Sequence, residues 1–175
     1  MRYNKKLEHA LQKVQKPGRY VGGELNSVVK DPSQVEVRFA FCFPDTYEIG
    51  MSHLGIKILY GAMNEIPYFW CERVFAPWVD MEEEMRREDI PLYALESGDP
   101  VCDFDFIGFT LQYELSYTNV LNMLELAGIP CAARTGRSCT ISWWGAAPCA
   151  CNPEPLADFF DIFFLGAAGK RWTSR

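Results

Sequence analysis

Leu7, Ala10, Leu11 and Val14 recur at helical spacing, and Pro17-Gly18 stops the helix they predict within residues 1–18. A polar, glycine-containing connector (RYVGGELNSVVKDPSQ, 19–34) follows. VEVRFAFCF, Val35 to Phe43, is β-rich and almost continuously apolar in its second half, as a strand buried on both faces requires. Pro44-Asp45 ends it. Leu54, Ile58, Leu59 and Ala62 form one helical stripe that Ser52 can cap and that stops before Pro67. Asp80 opens another helix, with Glu83 three residues on in a capping-box arrangement. Its first turn is acidic (Glu82, Glu83, Glu84) and its end basic (Arg86, Arg87), which suits the helix dipole and reads as a solvated face.

A short strand is expected at Pro91 to Leu95 and a buried one at Asp105 to Leu111, DFIGFTL. Tyr117, Val120, Leu121, Leu124 and Ala127 predict a helix that Gly128 stops, with Pro130 just beyond. Pro153-Glu154-Pro155 opens a short helix, and DIFFL, Asp161 to Leu165, is the last strand. Strands alternating with helices of about ten residues are βαβ units. The fold class is therefore α/β: a Rossmann-like parallel sheet with helices on both faces, over 35–166. Ligands of such sheets bind at the carboxyl ends of the strands, where strand order reverses. Three loops are expected there: Pro44 to Ser52, Leu111 to Ser116, and Gly145 to Pro153.

Composition narrows the function classes. The chain has 175 residues, 49% apolar and 23% charged, which fits one globular domain. A net charge of −6 argues against a nucleic-acid-binding face. No apolar run spans a bilayer and the first residues have no secretory core, so a cytoplasmic protein without a membrane partner is expected. The seven cysteines are scattered among apolar neighbours, and only Cys149 and Cys151 are close. They read as buried thiols rather than disulfides or a metal site, which needs two paired half-sites. No Walker A loop, HExxH, GxSxG or CxxxCxxC motif is present.

The first loop runs Asp45-Thr46-Tyr47-Glu48-Ile49-Gly50-Met51-Ser52-His53 from a strand into a helix N-terminus, whose free N–H groups suit an anion. Glycines at 50 and 55 permit close backbone approach. His53 reads as a capping or packing residue. After the second strand, Gln112-Tyr113-Glu114 offers polar groups; Glu114 suits acid–base work, but structural hydrogen bonding is the plainer role. Gly145, Pro148, Asn152 and Pro153 make the third loop turn-rich and able to line a nucleotide-like tail.

The stretches RYVGGELNSVVKD, FAFCFPDTYEIGMSHLGIKILYGAMNE, CERVFAPWVDMEEEMR, IPLYALES, DFDFIGFTLQYELSYTNVLNMLELAGIP and NPEPLADFFDIFFLG run from about Arg19 to Gly166. They closely resemble bacterial radical S-adenosylmethionine (SAM) proteins with an N-terminal cobalamin-binding-like domain. D-x-Y-x-x-G at Asp45 to Gly50 stands where cobalamin-binding domains often carry D-x-H-x-x-G, whose histidine is the lower cobalt ligand. Tyr47 occupies that position here, so imidazole ligation from it is excluded. The resemblance implies cobalamin as the cofactor, and Asp45, Tyr47, Gly50, Ser52, Thr110, Gln112, Tyr113, Glu114, Gly145 and Pro148 as the residues facing it. No catalytic or metal residue is assigned. The family's 4Fe–4S cluster and S-adenosylmethionine belong to a radical SAM barrel, the expected partner in cis, whose CxxxCxxC motif lies outside this chain.

Two segments depart from the family pattern. Trp143-Trp144-Gly145-Ala146-Ala147-Pro148 stands for a GGP-type turn, and Gly166-Ala167-Ala168-Gly169 for a GEGE-type turn. Shifting by one base a codon series for Lys170 to Ser174 restores Glu-Glu-Val-Asp-Leu, and Trp-Trp shifts to Leu-Val. The expectation is that 134–147 and 167–175 are read out of frame and that the second shift truncates the gene. Function is then expected to be that of a cobalamin-binding-like domain, not catalytic alone. The alternative is a docking and substrate-positioning module for the barrel that has lost cobalamin binding. A stand-alone hydrolase using Glu114, Asp45 or His53 lacks a nucleophile–base pair. The aromatic pairs Phe69-Trp70, Phe159-Phe160 and Phe163-Phe164 are candidates for apolar surface that the barrel covers, or for core.

Overall fold

A computed structural model describes residues 5–130, 142–146 and 151–164. Five parallel strands form one sheet: β1 (Val37–Phe43), β2 (Phe69–Phe75), β3 (Phe106–Thr110), β4 (Ser142–Ala146) and β5 (Ile162–Phe164), in the order β2-β1-β3-β4-β5. Helices are α1 (Lys5–Leu11), α2 (Tyr47–Ser52), α3 (Leu54–Asn64), α4 (Val79–Glu88) and α5 (Tyr117–Leu126). The Rossmann-like α/β reading therefore holds. Among the described residues no helix is long and apolar enough to cross a membrane.

The sheet separates two cores. On one face Leu7 and Ala10 of α1, Met81 and Met85 of α4, and Val120, Met123 and Leu124 of α5 pack on Ala40, Cys42, Val74, Ile107 and Phe109. On the other, Ile56 and Tyr60 of α3 pack on Phe39, Phe41, Phe43, Cys71 and Phe75. The helix between β1 and β2 thus lies opposite those that lead towards β3 and β4, as right-handed crossovers in opposite directions require. Phe69, Trp70 and Phe160 are buried, so these members of the aromatic pairs fill the core. Cys42 and Cys71 are buried, whereas Cys102 and Cys151 are exposed.

Several expectations need correction. Tyr47 to Asn64 is two helices, and His53 rather than Ser52 caps α3, its Nδ1 accepting from Ile56 N at 3.3 Å. Ser52 Oγ donates instead to Ile49 O at 2.8 Å. The buried stripe of α3 is Ile56 and Tyr60, while Leu54 and Ile58 are exposed, because this helix is apolar on all sides. In α4 the N-cap is Trp78, and Asp80 serves Met81 N and Gln15 N rather than a capping box with Glu83. Glu84, expected in solvent, is buried against Arg87 and Lys13.

The segment Pro91 to Leu95 makes one isolated bridge, Tyr93 to Pro100, instead of a strand. Its role is to finish the edge of β2, a strand the sequence pattern does not predict. Leu95 N donates to Arg73 O at 2.9 Å, and Arg73 N donates to Glu96 Oε2 at 2.7 Å. The Asn64 amide pairs with both backbone groups of Cys71 at 3.0 Å. An open edge able to recruit another strand is thereby closed.

β2 is also where charge enters the core. Glu72 takes Arg38 at 2.6 Å and Ser97 N at 3.0 Å. Arg73 takes Glu96 at 2.6 Å, Ser27 Oγ at 2.9 Å and Glu24 at 3.4 Å, with its guanidinium 4.4 Å from the Tyr60 ring. Glu24 and Ser27 belong to the connector, so this network straps 19–34 across the sheet. Lys30 fastens its end, Nζ donating to the carbonyls of Asn64, Ile66 and Phe69 at 2.6–2.9 Å. The Asn64 carbonyl among them is at the end of α3, where the helix leaves such groups unpaired.

Candidate functional site

Strand order reverses between β1 and β3, so a crevice opens where their carboxyl ends diverge. The loop after β1 is held from three sides. Asp45 Oδ2 accepts from Tyr113 Oη at 2.8 Å, Asp45 O accepts from Ala76 N at 3.0 Å, and Pro44 O accepts from Asn119 Nδ2 at 3.0 Å. The second carboxylate oxygen takes Thr46 N at 2.7 Å. Asp45 is thus the hub of the crevice, tying together the chain that leaves β1, β2 and β3. Its hydrogen bond, with some burial and its negative charge, raises the Tyr113 phenol above its ordinary range.

Tyr47 turns elsewhere. It opens α2 half-buried, its ring edge-on to Phe75 at 5.7 Å and its hydroxyl on Glu24 Oε1 at 3.1 Å. Burial first, and then the Glu24 carboxylate, push its phenol upward. Glu24 in turn pairs with Arg73, so the buried network ends at the first turn of α2. Burial works against the Arg73 charge, but Glu96 outweighs it by charge and hydrogen bond, and the guanidinium stays protonated. Burial raises the Glu96 carboxyl, with Arg73 opposing.

Gly50 owes its identity to packing: a Cβ there would lie 2.5 Å from Phe75 Cδ1 and 3.2 Å from Phe43 Cδ1. Ser52 is exposed at the end of α2. The helix entered from this loop has only six residues, too short for the expected anion-binding N-terminus. Thr110 ends β3 inside the protein, and its hydroxyl finds no partner among the described residues. Gln112 is half-buried and Glu114 exposed, the latter opening a 3-10 turn over Glu114–Ser116. Gly145 lies within β4, paired with Phe109 and Phe163, and not in a loop. Pro148 falls outside the described residues, as do 134–141, 147 and 167–175.

The structure therefore brings Asp45 and Tyr113 into contact, places Thr110 at the end of the neighbouring strand, gives Tyr47 and Gly50 to packing against Phe75, and leaves Ser52 exposed on the Ile49 carbonyl. Sequence reasoning missed Asn119, Glu24, Arg73 and Glu96. An Asn in the first turn of a helix that leaves a strand end was a usable signal; the other three were hidden by distance along the chain.

The residues do not fit a corrin held through position 47, since that side chain is spent on Glu24. The cleft beside it, lined by Tyr20, Thr46, Tyr47, Phe75, Trp78 and Tyr93, encloses about 20 Å³, room for one water molecule. Among the described residues no group of three or more His, Cys, Asp or Glu is placed to hold a metal ion.

An uncharacterized protein of Methanocaldococcus jannaschii is 27% identical over 138 residues, which take in 73% of this chain and 23% of the relative. The chain spans about a quarter of that relative's length, and the relative is archaeal. No solved structure matches. A family model described as the N-terminal region of radical SAM proteins matches residues 55–174, from the start of α3 onward. The chain belongs to that family of radical SAM N-terminal regions.

Proposed function

We propose that this chain is a positioning module for a radical SAM barrel, not catalytic by itself, and that it works without a protein-ligated cobalamin. One observation carries the reading. The side chains that would meet a cofactor between β1 and β3 are already committed within the crevice, Tyr113 to Asp45 and Asn119 to the Pro44 carbonyl. Such mutual satisfaction builds a rigid platform rather than a cradle, and rigid platforms lower the ordering cost of docking.

Binding of cobalamin without a protein ligand is the second reading, favoured by the buried Thr110 hydroxyl that lacks a partner. Mixing the purified chain with hydroxocobalamin and desalting separates the two. An unchanged visible spectrum and no retained corrin support the platform. Stoichiometric retention supports the second reading and overturns the first.

A further inference from the structure

We infer that the outer face of α3 is a self-association surface, on which a second copy of this chain packs antiparallel about a two-fold axis at Gly61. The inference goes beyond the positioning role and does not depend on it. The sheet uses only one side of this apolar helix. Ile56 and Tyr60 are buried on it, while Leu54 (68% exposed) and Ile58 (60%) face solvent. Leu54, Ile58, Gly61 and Glu65 follow at spacings of four, three and four residues and so form one stripe. Glu65 keeps helical backbone angles at the C-cap, which carries the stripe to the helix end. The connector widens it. Val28 N donates to the Tyr60 hydroxyl and Lys30 Nζ to the Asn64 carbonyl, so Val29 between them, 68% exposed, lies along the flank of α3. Exposed apolar residues scattered singly are ordinary, whereas a continuous stripe marks an interaction surface.

Charge selects the occupant. Lys57 and Glu65 stand four residues either side of Gly61, both exposed, and neither side chain has an ion pair or hydrogen bond among the described residues. A two-fold axis at Gly61 sets Lys57 of each copy towards Glu65 of the other, and the face is complementary to itself. A parallel pairing would set like charges opposite. Locally the chain's −6 does not oppose the contact, because α3 and its C-cap carry one charge of each sign. The centre also permits close approach: a Cβ at Gly61 would meet nothing within 4 Å, and Ala62 is exposed next to it. An eleven-residue helix is about 16 Å long, which keeps the contact below the roughly 1,200 Å² of standard interfaces. The dimer is therefore weak and reversible.

Sedimentation equilibrium of the full chain from about 10 μM to about 1 mM tests the inference, with a dissociation constant of about 0.1 mM expected for a contact of this size. Lys57→Glu and Glu65→Lys each set like charges across the axis and should weaken association about fivefold. An equimolar mixture of these two variants should recover it, since every pair across the axis is again of opposite sign. Ile58→Glu should give monomer alone, with a urea midpoint like the parent's because the position is exposed. A monomer at every concentration overturns the inference. Dimers that none of the three variants weakens lie on another face and overturn it as well. Single variants that weaken association without recovery in the mixture overturn the antiparallel arrangement.

Discussion

The Tyr113 hydroxyl donates to Asp45 Oδ2 at 2.8 Å, closing the crevice between two loops that lie 68 residues apart in the chain. The bond spans the point where strand order reverses, so it fixes the two halves of the sheet's carboxyl edge relative to each other.

That bond sets a pH signature. The folded Tyr113 phenol holds its proton above the ordinary value of about 10. A raised folded value means that its contribution to stability is complete below the unfolded value and is lost as pH rises through the folded one. Tyrosinate absorbance at 295 nm should show a late-titrating group of phenols, Tyr47 among them, that loses one member in Tyr113→Phe. Asp45→Asn removes the opposing charge and should bring that phenol back towards 10. An identical titration in Asp45→Asn would mean the carboxylate does not govern it.

Two glycines in adjacent helices should respond in opposite directions. Gly50→Ala drives a Cβ into the Phe75 ring, and overpacking of this kind costs about 2 kcal/mol. Gly61, on the exposed side of α3, has nothing within 4 Å of the same atom. Gly61→Ala should stabilise by about 0.8 kcal/mol through helix propensity. Urea denaturation of both variants measures the contrast. A neutral Gly50→Ala would return Gly50 to the role of a backbone left bare for a ligand.

The central strands were legible because they are buried on both faces, which makes FAFCF and FIGF continuous apolar runs. β2 was not, because Glu72 and Arg73 interrupt it. Their partners Arg38 and Glu96 lie 34 residues before and 23 after them, beyond any local pattern. The register of α3 failed for the opposite reason: apolar residues on every side give periodicity nothing to choose between, and Leu54 and Ile58 were assigned inward. At the site, the loops could be read from strand ends, with Asp45 in one and Tyr113 in the other, but their hydrogen bond across 68 residues could not. That Tyr47 serves the connector could not, since Glu24 precedes it by 23 residues across a segment without periodicity. The late segments that break the family pattern lie largely outside the described residues, although the family match itself runs to residue 174.

Thr110 should be replaceable at a gain. Its hydroxyl is buried at the end of β3 with no partner among the described residues, and an unsatisfied buried group costs about 1–3 kcal/mol. Thr110→Val keeps the shape and removes the oxygen, so stability should rise by about 1 kcal/mol, read as a higher urea midpoint at unchanged slope. A loss of similar size would show that the hydroxyl is satisfied in solution. Retention of hydroxocobalamin by the parent but not by this variant would move the argument to the second reading of function.

The Arg73–Glu96 pair should behave as a unit. Both side chains are almost wholly buried, so removing one leaves an uncompensated charge, at about 3–5 kcal/mol. Arg73→Met and Glu96→Gln should each be severe, and the double variant should cost less than their sum by about 2 kcal/mol. The loss should also travel. Without Arg73, Glu24 loses its cation and Tyr47 its fixed acceptor, so the connector should loosen from the sheet before the core does. Hydrogen exchange in Arg73→Met is therefore expected to quicken over 19–34 and the first turn of α2 while β1 and β3 stay protected. Uniform quickening would mean that the network stabilises the whole domain and does not act as the strap's fastening.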